Sequence, residues 1–116
     1  MGKEVFNGFG HQEATECVAE LARVFPGIVP VRIPVLILKG DSAKLAAEQT
    51  IIEFGTAEEC LFACGLPLEF EDLVQVRTAD GTLDSAAKIV AMRLQDDKMA
   101  FAARFTEDVR NWIMKA

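Results

Sequence analysis

The 116 residues form enough chain for one domain with one core, and a hydrophobic content of 51% excludes a disordered polypeptide. The formal net charge of -6, with basic residues scattered among more numerous acids, excludes the counterion-releasing surface of a nucleic-acid binder. No apolar run approaches the ~18 residues of a membrane span, and Met1-Gly2-Lys3-Glu4-Val5 lacks an apolar export core, so a cytoplasmic protein is expected.

Residues 1–10 interleave Gly2, Gly8 and Gly10 with Phe6 and Phe9, as in a frayed terminus or a tail that docks two rings. Residues 11–25 carry Ala14, Cys17, Val18, Leu21, Ala22 and Phe25 at helical spacing, with Glu13, Glu16 and Glu20 on the other side. Pro26-Gly27 ends this predicted helix. A first strand follows over Val31–Leu38, where Pro30 and Pro34 suggest an edge or bent start, and Gly40-Asp41-Ser42 turns the chain. Further strands are expected over Glu48–Gly55 and Cys60–Cys64, then a break at Gly65-Leu66-Pro67 and an acidic loop to Glu71.

Leu73–Thr78 and Ala86–Leu94 flank Asp80-Gly81, read as a two-residue hairpin turn with positive φ at both positions. Gln95-Asp96-Asp97-Lys98 then turns into a last strand, Met99–Phe105. Its Met99, Phe101, Ala103 and Phe105 share one face, and Ala100, Ala102 and Arg104 the other. Thr106 is the expected N-cap of a terminal helix that buries Val109, Trp112 and Ile113. The chain divides into a tail and amphipathic helix, 1–27, and a β domain with its terminal helix, 28–116. Short strands at near-regular spacing favour an all-β sandwich or barrel.

Catalytic chemistry finds little support. His11 is the one imidazole and starts a helix; Ser42 and Ser85 have no elbow motif, and no glycine-rich phosphate loop is present. The acids Glu53, Glu58, Glu59, Glu69, Glu71 and Asp72 read as solvated loops, with paired-carboxylate chemistry as the alternative. Cys17, Cys60 and Cys64 are an odd set expected to be reduced, buried structural thiols; with one histidine, a zinc site would need carboxylates. Neither enzyme activity, nor a metal site, nor a cofactor is expected.

Val31-Arg32-Ile33-Pro34-Val35 places an arginine, an apolar residue and a proline at the first strand. About twenty residues on runs Ile51-Ile52-Glu53-Phe54-Gly55-Thr56-Ala57-Glu58-Glu59-Cys60-Leu61-Phe62, followed by Leu66-Pro67-Leu68, Ala87-Lys88-Ile89-Val90 and Phe101-Ala102-Ala103-Arg104-Phe105. In layout this resembles the PilZ domain, the bacterial receptor module for cyclic diguanylate, over about residues 28–113. The resemblance implies an all-β, six-stranded antiparallel PilZ-like barrel flanked by N-terminal and C-terminal α-helices.

It also implies a ligand site on Arg32, Glu53, Gly55 and Glu58. In the family an Arg-x-x-x-Arg pair grips the dinucleotide, because a guanidinium binds phosphate bidentately and stacks on bases. Arg32 matches the second arginine, whereas the first position falls on Ile28. The family's Asp/Asn-x-Ser-x-x-Gly motif is met by Glu53, Gly55 and Glu58. A lost charge-assisted contact of ~1.5–3 kcal/mol, with a carboxylate facing phosphates, weakens cyclic di-GMP roughly a hundredfold or more. The expected function is a degenerate PilZ-like signalling or adaptor module acting through a protein partner or as a homodimer, with Phe6, Phe9 and Phe70 as apolar contacts. The alternative is a working cyclic di-GMP receptor centred on Arg32, with Arg77, Arg93 or Arg104 as substitutes.

Overall fold

Period-two alternation of apolar residues builds six strands, and their pairing closes on itself. The computed structural model describes residues 16–41, 44–109 and 112. The strands are β1 (Val29–Asp41), β2 (Lys44–Gly55), β3 (Glu59–Ala63), β4 (Leu73–Arg77), β5 (Asp84–Gln95) and β6 (Lys98–Phe105). They form a closed antiparallel barrel in the order β1-β2-β3-β6-β5-β4, as the sequence resemblance implies. Because β3 and β4 are not neighbours, the 64–72 connection crosses the barrel and tucks Leu68 into the core.

Three strands run longer than the sequence pattern suggests: β1 has 13 residues, and β2 and β5 have 12 each. β1 is also not a simple edge, since it pairs with β2 along its length and with β4 through Leu36, Ile37 and Leu38. Pro30 and Pro34 lie outside the stretch shared with β4, where a missing N–H leaves no ladder bond unmade on that side. β1 continues through Asp41, and the turn that follows falls outside the described residues. Gly40 is needed near that turn: its φ is +112°, and a Cβ there would run into the Lys44 carbonyl.

Two turns exchange their expected geometries. Asp80 does not adopt positive φ; only Gly81 does, at +78°. The β4–β5 connection is a six-residue loop in which Thr78 N–H donates to the Leu83 carbonyl at 2.8 Å and Leu83 is buried. The two-residue turn with both φ positive is instead Asp96-Asp97, at 50° and 67°, joining β5 to β6 through the Gln95–Lys98 pair.

Two apolar clusters lie on opposite faces of one wall. Val35, Ile37, Ile52, Phe62, Val76, Ile89 and Phe101 fill the barrel. On the outside, Leu61, Ala100 and Ala102 receive Cys17, Val18, Leu21 and Ala22 of helix α1, described over residues 16–22. Two alanines on the outer face of β6 leave the room in which a helix can approach a sheet closely. The predicted start of this helix, with His11 and Ala14, lies outside the described residues, as do Phe6 and Phe9. The expected terminal helix falls largely outside them as well. Residues 106–109 are not helical, but Trp112 is buried edge-on against Phe105, with ring centroids 5.3 Å apart. Its indole N–H donates to the Thr56 carbonyl at 3.0 Å.

Candidate functional site

The sequence-predicted site falls on the β1–β2 wall where both ladders lose register. Between β1 and β2 the pairing jumps from Pro30–Phe54 to Ile33–Ile52, leaving Val31 and Arg32 opposite Glu53. Between β2 and β3 it jumps from Ile52–Phe62 to Phe54–Leu61, again passing over Glu53. Glu53 therefore stands opposite a bulge in β1 and is itself the bulged residue against β3. Bulges of this kind re-aim a side chain that regular alternation would send elsewhere.

Glu53 is buried at 6% exposure, and its Oε1 has no hydrogen-bond partner among the described residues. Leaving a buried acceptor unsatisfied costs ~1–3 kcal/mol, and more for a charged group. Arg32 is exposed on the facing bulge. Gly55 is buried and pairs with Val29 and Cys60, so its place is in the ladder. Glu58 sits apart, exposed on the turn from β2 to β3. There the Thr56 Oγ1 accepts the N–H groups of Glu58 and Glu59 at 3.1 and 3.0 Å, and the Glu58 carbonyl accepts the Phe105 N–H. Backbone register thus brings Arg32, Glu53 and Gly55 together, and leaves Glu58 on a turn with a structural part to play.

The arginines named as substitutes are engaged elsewhere. Arg104 donates to Glu59 Oε2 from both Nε and Nη2, at 3.1 and 2.7 Å. Arg77 lies 3.4 Å from Asp84, and Arg93 donates to Gln95 at 3.1 Å. An arginine held by a carboxylate must give up that partner before it can grip a phosphate.

Beside Glu53 opens a cleft of about 1020 Å³, which sequence reasoning missed because its walls come from five strands and three connections. Its lining includes Glu48, Thr50 and Glu53 of β2, Cys64 just beyond β3, Arg77 of β4 and Met99 of β6. Glu48 is satisfied: both its oxygens accept the Gly65 N–H, each at 3.0 Å. The acids of the β3–β4 loop are structural where they are bonded. Asp72 accepts from Lys39 Nζ at 2.7 Å and from the Glu69 N–H at 2.8 Å, and the lysine contact holds its carboxyl below the usual range.

All three cysteines are free and buried. Burial pushes the Cys60 thiol far up and the Cys64 thiol up to about 11, against a smaller opposing contribution from the Leu66 N–H. Protonated and enclosed, these thiols are poor nucleophiles and poor metal ligands. Cys60 and Cys64 belong to the barrel interior and Cys17 to the helix–wall contact. Among the described residues no helix is long and apolar enough to cross a membrane.

No family model matches this chain, and no curated protein matches it in sequence. Among solved structures it is similar to the Bacillus subtilis inhibitor of motility, MotI/DgrA, with a TM-score of 0.57 at 11% identity. That likeness covers 76% of this chain and 46% of the other, so the chain spans just under half the length of this neighbour. At such identity the likeness concerns the fold, and the closed six-stranded antiparallel barrel is consistent with a PilZ-like one.

Proposed function

We propose that this chain is a PilZ-like signalling or adaptor module that has lost most of its grip on cyclic diguanylate and works through protein contacts, with another protein or a second copy. The observation that carries this reading is Glu53. At the position where the family motif meets its ligand stands a buried carboxylate without a donor, and Ile28 occupies the place of the missing arginine. A doubly anionic guest would also meet a like charge at Glu58, a carboxylate where the family motif has glycine. At ~4 Å in a partly screened setting this repulsion is on the order of a few kcal/mol. The fold of the motility inhibitor supports a non-enzymatic effector over a catalyst.

One observation favours a second reading, a cyclic di-GMP receptor with an altered site: Arg32 is exposed on the bulge facing Glu53. Isothermal titration with cyclic diguanylate separates the two. The adaptor reading expects no binding at micromolar ligand. Micromolar or tighter binding that Arg32→Ala abolishes would establish the receptor instead.

A further inference from the structure

Four other carboxylates have partners in the fold. Glu48 has the Gly65 N–H, Asp72 has Lys39, Asp84 has Gln75 and Arg77, and Glu59 has Arg104 and Thr56. Glu53 differs. It is more deeply buried than any of these, two bulges hold it in place, and one of its oxygens meets no donor among the described residues. It also lines the cleft of about 1020 Å³, which is large enough for a guest. The charge of that cleft leans the same way: Glu48, Glu53 and Asp97 face only Arg77 and Lys98, and Arg77 lies 3.4 Å from Asp84.

What fits a buried carboxylate with an unmet oxygen, set in the wall of an acid-weighted cleft, is a cation bearing N–H donors that the side chain can turn to meet. A guanidinium is the best match, because its planar fork meets a carboxylate squarely and is weakly hydrated, so it enters a recess readily. Its alkyl stem would lie along apolar lining such as Val35 and Met99. We infer that this cleft is a binding site for a guanidinium group, carried by a small molecule or by an arginine side chain, with Glu53 as its anchoring carboxylate. This goes beyond the proposed function: the guest is opposite in charge to cyclic diguanylate, so titration with that nucleotide does not decide it.

The test is amide NMR on the full chain, titrated with agmatine and separately with the peptide acetyl-Gly-Arg-Gly-amide. At least one probe is expected to shift the resonances of Thr50, Glu53 and Cys64. Glu53→Gln should weaken that binding ~10-fold or more, while Glu107→Gln, exposed and outside the lining, leaves it unchanged. Binding of agmatine supports a small-molecule source, and binding of the peptide alone supports a side-chain source. Silence from both probes at millimolar concentration overturns the inference, as does equal affinity in Glu53→Gln. Glu53→Asp, which withdraws the carboxylate by one methylene, is also expected to weaken binding; equal affinity there is equally fatal. Without any probe, Glu53→Gln is expected to melt no lower than the parent chain. A clear drop would make Glu53 a structural residue and end the proposal.

Discussion

Asp80 organises its loop through its side chain. The carboxylate accepts the Thr82 N–H at 3.0 Å and the hydroxyls of Thr82 and Thr78 at 2.8 Å each, which holds its pKa down to about 2. A folded-state pKa below the unfolded value of ~3.9 stabilises the fold fully above that value. The contribution disappears as pH falls through about 2. Asp80→Ala should therefore melt below the parent chain at pH 6, with the gap closing as pH falls from 4 toward 2. A gap that does not change with pH in a thermal-unfolding series would mean the ionised carboxylate is not its source. Asp80-Gly81 marks a turn in the sequence, yet its geometry is not legible there. Whether an aspartate takes positive φ depends on what its side chain finds, and here Thr82 and Thr78 satisfy it without that. Glu53 was legible as a position of interest but not as a buried one. Its burial follows from two register shifts that only the assembled three-strand wall can set.

Single elements were easier to read, because their patterns are local. The stripe of Cys17, Val18, Leu21 and Ala22 announces a helix through spacing alone, and the described part of that helix buries this stripe. The alternation of β6 likewise sorts Phe101 and Ala103 inward and Ala100 and Ala102 outward. What the sequence left hidden is strand length, since Pro30 looks like a bent start and Gly40 like a turn, and both are accommodated within β1. Ala102 matters for its smallness, being 0% exposed beneath α1. Ala102→Leu is expected to destabilise the protein by ~1–3 kcal/mol through overpacking. Urea denaturation measures this; a stability within ~0.5 kcal/mol of the parent would show that the helix has slack.

For the whole molecule, the two clusters are unequal. The barrel interior draws on all six strands, whereas α1 rests on one outer patch of β3 and β6. The fold should therefore open in two stages, with the α1 amides exchanging ~10-fold or more faster than those of β3 and β6. Hydrogen exchange read by NMR tests this, and equal protection in both would make the molecule a single cooperative unit. β6 is the party wall between these two compartments, with aromatics furnishing one room and alanines the other. If it slid by a single step, Phe101 would land under α1 and an alanine would face the space it vacated. One error would hollow the inner room and evict the outer tenant together, so each compartment enforces the alignment on which the other depends.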